Sequence, residues 1–186
     1  MPRIIIVISA ALAASLAFAG LGAVAPATAS ETLGTGSKSA AAEHCAVEVR
    51  AVGERAAPSA PVCFSEPEGV ERYLDAIGTA DASGRAVAAA STALGTVYAN
   101  SNGGGSSLTF WGSSGCYGVV FGFSSMPSGW SSNVSSAGGS NGCWVTVYGT
   151  TGYGGSRLNC TPWCGGVGGL NDQVKSIVFR PTGTFG

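Results

Sequence analysis

The sequence predicts an all-β domain over residues 93–186, preceded by a small hairpin-plus-helix extension. The chain repeats itself in this half: residues 93–110 match 143–160 at an offset of 50, and residues 130–137 match 170–177 at an offset of 40. The same half holds all 4 Trp, 4 of the 5 Tyr and 22 of the 30 Gly residues, and its apolar residues show no helical spacing. Aromatic and β-branched runs separated by Gly-rich turns are typical of a β-sandwich or barrel.

The repeat divides this domain into two motifs, residues 93–140 and 141–182. An internal repeat of this length indicates that each unit cannot bury its apolar face alone, so the two copies share one core. Identical residues stand at equivalent positions of the first block, namely Thr96, Val97, Tyr98, Gly104, Gly105, Ser106 and Leu108 over Thr146, Val147, Tyr148, Gly154, Gly155, Ser156 and Leu158.

The first 29 residues have the pattern of a signal peptide. Arg3 supplies a short basic region, residues 4–18 are apolar, and Ala27-Thr-Ala29 places small residues where a signal peptidase cleaves, before Ser30. A membrane anchor is the alternative, because the apolar stretch continues to Ala25. We therefore expect a secreted, extracellular protein that has no membrane association once the signal is removed.

Export makes the 6 cysteines a disulfide framework, because extracellular compartments are oxidising. Sequence proximity suggests Cys45 with Cys63 and Cys160 with Cys164, which leaves Cys116 with Cys143. A zinc site has less support, since the cysteines do not form paired C-x-x-C units.

The extension, residues 30–92, begins with a small, polar leader and then predicts a hairpin and a helix. Alternation from Cys45 to Ala51 predicts a strand, and residues 61–64 form a second apolar run. Ser65 and Glu68 form a capping-box pattern before a helical series at Val70, Tyr73, Leu74 and Ile77. Residues 81–92 are rich in Ala, Ser and Gly and are interpreted as a linker, with a weak second helix as the alternative.

Within the repeat domain, residues 144–148 alternate over five positions and residues 176–180 form a second apolar strand. A Gly-rich loop lies between them at residues 164–169.

The distribution of charge argues against several functions. Nine of the 10 acidic residues lie in the extension, and from residue 93 onward Asp172 is the single carboxylate side chain against three cations. No basic stripe is present, so we expect no nucleic-acid partner. One carboxylate cannot form an acid/base pair, and His44, expected as a solvated strand residue, lies outside the domain. The sequence therefore predicts a protein that is not an enzyme and needs no cofactor, with a site formed jointly by the extension and the domain as the alternative. We also expect a monomer.

The second motif carries a recognisable signature. Tyr148-Gly-Thr-Thr-Gly-Tyr153-Gly-Gly155, followed by the loop Asn171-Asp-Gln-Val-Lys-Ser176, resembles the βγ-crystallin Greek-key motif, an aromatic corner Y-x-x-x-x-Y-x-G plus a polar loop. The first motif is a degraded version, with Tyr98 and Gly105 in place, Gly103 at the second aromatic position and residues 131–136 as its polar loop. The resemblance implies a double Greek-key sandwich, and among such proteins the chain is most similar to secreted actinobacterial metalloprotease inhibitors.

The aromatic corner is predicted to be structural. A ring that covers the turn of a folded-back hairpin leaves room only for Gly where the backbone crosses it. Tyr98, Gly105, Tyr148, Tyr153 and Gly155 are the residues concerned.

Calcium binding is what the resemblance implies for the polar loops, because calcium takes six to eight oxygen ligands. The chain departs from the family pattern: Lys175 stands at the Ser/Thr ligand position, and Ser131 and Ser132 replace the acidic or amide pair. A weak mixed site could draw on Ser135, Asn171, Asp172 and main-chain carbonyls. The alternative is that the side chains of Asn171, Asp172 and Ser176 only cap the loop.

An inhibitory loop is the second function that the resemblance suggests. Cys160-Thr161-Pro162-Trp163-Cys164, if closed by a disulfide, is a small rigid loop that presents an aromatic side chain. A pre-organised loop loses little entropy on binding, which suits a substrate-mimicking inhibitor of an extracellular metalloprotease. A purely structural tie is the alternative, and the extension remains open as a pro-segment, an accessory subdomain or a partner-binding arm.

Overall fold

Strands in two sheets, with a single α-helix, make up the part of the chain that the structure describes. The computed structural model describes residues 42–55, 57, 59–79 and 91–186, so the signal peptide, nearly all of the leader and most of the linker lie outside it. The elements are β1 His44–Glu48, β2 Arg50–Ala51, β3 Val62–Phe64, α1 Pro67–Thr79, β4 Thr92–Tyr98, β5 Ser107–Gly112, β6 Phe121–Phe123, β7 Ser136–Gly139, β8 Cys143–Thr150, β9 Gly154–Cys160, β10 Trp163–Cys164 and β11 Ser176–Pro181.

The internal repeat of the sequence is also a repeat of strand order. The first sheet runs β10-β7-β4-β5-β1-β3 and the second runs β2-β6-β11-β8-β9. Each motif therefore contributes the same three neighbours, β7-β4-β5 in one sheet and β11-β8-β9 in the other. The strands β6 and β10 each join the sheet of the other motif. The two motifs thus exchange a strand, which ties each sheet to both copies.

The core lies between the two sheets, where the inward residues of the alternating strands meet. Phe110 of the first sheet contacts Phe179 of the second, with ring centroids 5.2 Å apart. The centre of this core is filled by side chains that are at most 1% exposed, among them Leu94, Val97, Leu108 and Phe110 on one side and Val145, Val147, Ile177 and Phe179 on the other. Burial on this scale is the main stabilising term of the domain.

The extension is built into both sheets. β1 lies parallel to β5, with Cys45 opposite Leu108 and Val47 opposite Phe110, while β2 pairs antiparallel with β6. Val47 and Val49 are 1% and 2% exposed within the central core. All described residues fall in one compact unit, residues 39–186. The chain from 44 to 51 therefore runs from β1, which lies between β5 and β3 in the first sheet, to β2 at the edge of the second sheet. The sequence did not predict this relation.

The predicted hairpin and helix are both present. β1 pairs with β3 so that Cys45 lies opposite Cys63. The helix begins at Pro67 and continues one residue past Gly78. Val70 and Leu74 are buried and pack with Ala46, Phe64 and Trp111, so the helix covers part of the outer face of the first sheet.

The three disulfides have the pairing that sequence proximity suggests: Cys45–Cys63, Cys116–Cys143 and Cys160–Cys164. The first joins β1 to β3, and the second ties the loop after β5 to the start of β8. The third closes the turn between β9 and β10. Each bridge therefore fixes a loop or an edge strand.

Candidate functional site

Two buried serines, one in each motif, make matching hydrogen bonds within their own motif. Ser136 Oγ donates to the carbonyl of Asn100 (2.7 Å) and accepts from the amide of Gly103 (3.0 Å). Ser176 Oγ does the same with Thr150 (2.7 Å) and Tyr153 (3.0 Å). The partners are related by the sequence offsets of 40 and 50, so the last serine of each polar loop fastens the turn of its own motif.

The aromatic corner of the second motif is closed by its own tyrosines. Tyr148 and Tyr153 meet edge to face, with centroids 6.1 Å apart, and Tyr153 adopts a left-handed backbone with φ 65°. Burial raises the pKa of Tyr153, opposed by its hydrogen bond to Ser124, while the neighbouring Tyr148 raises it further. A Cβ at Gly122 would lie 2.5 Å from the Tyr153 hydroxyl, so Gly122 is where the backbone passes closely beneath this ring.

The first motif closes its corner with a ring from the second motif. Gly103 stands where the second tyrosine would be, and Trp163 packs edge to face against Tyr98 at 5.8 Å. A Cβ at Gly138 would lie 2.6 Å from the Trp163 ring, so the indole lies on the backbone of β7. Trp163 therefore replaces the missing aromatic residue, which the sequence comparison of the two copies could not reveal.

The corner glycines Gly105 and Gly155 serve the turns themselves. Both have a left-handed backbone, with φ 72° and 74°. Their absent Cβ atoms would crowd Asn100 and Thr150 rather than a tyrosine ring. A side chain at either position would be strained by its φ angle alone.

The Cys160–Cys164 loop is anchored at both ends and exposed in the middle. Cys160 is fully buried, and Trp163 and Cys164 pair with β7 opposite Gly138 and Ala137. The amide of Gly139 donates to the carbonyl of Pro162 (2.8 Å). Thr161 and Pro162 are exposed, and Trp163 is 47% exposed even though one face of its ring is packed. The loop thus presents a short, held segment at the edge of the first sheet.

Lys175 lies between the two polar loops. Its ammonium donates to the main-chain carbonyl of Ser131 in the other motif at 2.5 Å, while its backbone amide donates to the carbonyl of Tyr148 (2.7 Å). The carbonyl oxygen of Ser131, which could otherwise coordinate a metal cation, therefore already accepts a hydrogen bond from the Lys175 ammonium. The residues on this side do not fit a calcium ion, because a fixed positive charge repels a divalent cation at the same oxygen.

The structure brings the other predicted calcium residues into neighbouring loops. The amide of Asp172 donates to the carbonyl of Val134 (3.0 Å), and the amide of Ser135 donates to the carbonyl of Tyr98 (2.8 Å). Asn171 Nδ2 donates to the Asp172 carboxylate at 2.8 Å, and both side chains are exposed. Asp172 is the sole carboxylate here and is already paired with a neighbouring amide, so this donor set is poor for calcium.

His44 is half-buried and paired, not solvated as the sequence suggested. Its Nδ1 lies 2.8 Å from the hydroxyl of Ser107, its neighbour across the parallel β1–β5 pair. Alternation alone could not predict this contact, because it depends on which strand lies beside β1. The pair faces a groove between α1 and the first sheet.

Comparisons with known proteins add little. No protein-family model and no curated protein matches the chain. Among solved structures, the N-terminal domain of protein S aligns over 48% of this chain and 97% of that domain, with 19% identity and a TM-score of 0.36. Within the described residues, no helix is both long and apolar enough to span a membrane.

Proposed function

We propose that this is an exported, non-enzymatic protein of the βγ-crystallin double Greek-key type that inhibits an extracellular metalloprotease through its Cys160–Cys164 loop. The exposed yet anchored geometry of that loop is the observation that supports inhibition most directly. In this loop Cys160 is buried, Trp163 and Cys164 pair with β7, and the indole of Trp163 is partly exposed. Such a loop loses little conformational entropy on binding, so more of its contact energy appears as affinity.

The double Greek-key assignment draws on the repeat. Both motifs share a strand order and a set of serine hydrogen bonds, and each lends one strand to the sheet of the other. Secretion draws on the signal-like N-terminal sequence and on three disulfides, which are characteristic of oxidising compartments.

The absence of catalysis is proposed from the inventory of reactive groups. No described carboxylate hydrogen-bonds to the His44 ring, and the hydroxyl beside it belongs to Ser107, which is 6% exposed. The pair therefore lacks the orienting acid of a Ser-His-Asp triad. The alternative, a structural module with weak calcium binding, is less well supported because the carbonyl of Ser131 in the polar loop already accepts a hydrogen bond from the Lys175 ammonium.

The proposal is tested by assaying the mature protein, residues 30–186, against thermolysin-type metalloproteases. We expect inhibition at micromolar protein, and Trp163→Ala should weaken it by about 2 kcal/mol, roughly 30-fold, as for a central aromatic contact. Trp163→Phe should retain part of the effect because it keeps a ring against Tyr98 and Gly138.

A matched control is Tyr117→Ala, which removes an aromatic side chain that is 78% exposed and belongs to a different loop. It should leave inhibition unchanged. Full protease activity in the presence of micromolar wild-type protein would remove the inhibitor proposal.

A further inference from the structure

A groove on the outer face of the first sheet remains outside the function proposed above. This α1 groove, with a volume of about 370 Å³, is lined by Glu71 and Leu74 of the helix and by His44, Thr96, Tyr98 and Thr109 of the sheet. On its floor, Thr96 and Thr109 pair through their hydroxyls at 3.0 Å, and Ser107 engages His44 Nδ1. A concave site with a few convergent polar groups is the usual form of a ligand site.

Three polar groups of the groove have no hydrogen-bond or ion-pair partner among the described residues. They are the Tyr98 hydroxyl, the Glu71 carboxylate and the Nε2 atom of His44. Tyr98 is half-buried, whereas Glu71 is exposed on the helix. All three remain able to bind a molecule that enters the groove.

The second motif shows what occupies the equivalent surface. Three groove positions have counterparts there at the offset of 50: Thr96 and Tyr98 recur as Thr146 and Tyr148, and Thr109 is replaced by Asn159. Thr146 and Tyr148 are only 1% and 5% exposed, although they lie on the outer face of their sheet. The equivalent surface is therefore covered.

The cover is an arginine side chain and a peptide segment of the same chain. Arg180 Nη2 donates to the Tyr148 hydroxyl (3.1 Å), and its Nη1 donates to the carbonyl of Phe185 (3.0 Å). The amide of Gly186 donates to Asn159 Oδ1 (3.2 Å), and Phe185 packs on Trp144 with centroids 5.4 Å apart. This surface thus accepts a guanidinium and the backbone of a segment that turns at residues 182–183.

The first motif has no guanidinium of its own at this point. Ser140 occupies the position equivalent to Arg180 at the offset of 40, and its hydroxyl donates to the carbonyl of Ala93 (2.9 Å). The helix above the groove is acidic, since its exposed side chains include Glu68, Glu71 and Asp75 against Arg72 alone. A basic group is therefore favoured electrostatically.

We infer that the α1 groove binds a peptide segment of a partner protein through an arginine side chain. The guanidinium of this arginine donates to the Tyr98 hydroxyl and the Glu71 carboxylate, as the Arg180 guanidinium donates to the Tyr148 hydroxyl. Its apolar stem and a neighbouring side chain lie against Val70 and Leu74, which line the helical wall. The groove and the Cys160–Cys164 loop adjoin through the contact between Tyr98 and Trp163, but they bind through different groups. Failure of protease inhibition would therefore not count against peptide binding.

The test is a titration of isotope-labelled mature protein with the acetylated and amidated peptide Arg-Pro-Thr-Gly-Thr-Phe-Gly, which copies residues 180–186. We expect saturable shifts of the amide signals of Glu71, Thr96 and Tyr98 at millimolar peptide. Glu71→Gln should weaken binding by about threefold, the range of a solvent-exposed ion pair. Asp75→Asn makes the same charge change on the same helix outside the groove and should weaken binding clearly less than Glu71→Gln does.

A double-mutant cycle separates an ion pair from a general charge effect. A peptide with citrulline in place of arginine should bind the wild type more weakly, and should bind the wild type and Glu71→Gln equally. Equal effects of Glu71→Gln on both peptides, shifts confined to the other sheet, or the lack of saturable shifts would each overturn the inference. Shifts of the groove signals with cellotriose and none with peptide would overturn it in favour of a sugar ligand.

Discussion

At the scale of single residues, Lys175 marks a chemical difference between the two copies of the repeat. The equivalent residue of the first motif is Ser135, and only the lysine places a charge between the loops. Its ammonium satisfies the carbonyl of Ser131 across the motif boundary. Lys175 therefore acts as an internal cation that joins the loops without a metal.

Lys175→Met should destabilise the protein by about 1.5–3 kcal/mol, the usual value for a hydrogen bond to a charged group. Methionine keeps most of the apolar stem while removing the donor, so the loss isolates the ammonium. Urea unfolding followed by circular dichroism measures it. Arg157→Met, at an exposed position of β9, is the control and should change stability by less than about 0.5 kcal/mol.

Calcium supplies the second readout for the same residue. The wild type should show no rise in melting temperature in millimolar calcium, whereas Lys175→Ser should show one, because a hydroxyl replaces the repelling charge. A ligand that binds only the folded state must raise the melting temperature as its concentration rises. Equal calcium responses of wild type and Lys175→Ser would contradict this account.

Residue-level sequence comparison located this contact only in part. Lys175 was identifiable as a departure from the motif, but its partner Ser131 is 44 residues away and contributes a main-chain atom. Trp163 shows the same limit, because the aromatic that completes the first corner comes from the other motif. Substitutions that are compensated from a distant part of the chain leave no local signal.

At the scale of elements, each motif depends on one serine that fastens its turn to its last strand. Ser136→Ala and Ser176→Ala should each destabilise the protein by about 1–3 kcal/mol, because each leaves a carbonyl and an amide without a partner. Ser156→Ala, at an exposed position of β9, is the matched control. Chemical unfolding gives the three values. If Ser136→Ala lowers the free energy of unfolding no more than Ser156→Ala does, the hydrogen bonds of Ser136 do not stabilise the first motif, although their geometry repeats that of Ser176.

Element prediction succeeded where the pattern was local. The helical series from Val70 to Ile77 and the strands at 144–148 and 176–180 appear where expected. The single strand expected from Cys45 to Ala51 is instead divided into β1 and β2, which lie in different sheets. The pairing of β1 with β5 and of β2 with β6 was not predicted. Alternation fixes which face of a strand is buried, but it carries no information about which strand lies next to it. The α1 groove depends on the pairing of β1 with β5, so the sequence did not predict it either.

At the scale of the whole molecule, the extension and the repeat domain share one core. Val47 is 1% exposed and lies opposite Phe110, so the stability of the domain should depend on a residue outside the repeat. The four tryptophans all lie after residue 92, so their fluorescence reports on the repeat domain and, through Trp111, on its contact with the helix of the extension.

Val47→Ala should lower the urea midpoint of the tryptophan transition, with a loss of about 2–3 kcal/mol from buried methyl groups and the cavity left behind. Val62→Ala, in the same extension but 38% exposed, should have little effect. Because a single cooperative unit unfolds in one step, circular dichroism and tryptophan fluorescence should give the same midpoint in both variants. An unchanged tryptophan transition in Val47→Ala would mean that the extension unfolds separately, and the β1–β5 pairing would then contribute nothing to the stability of the repeat domain.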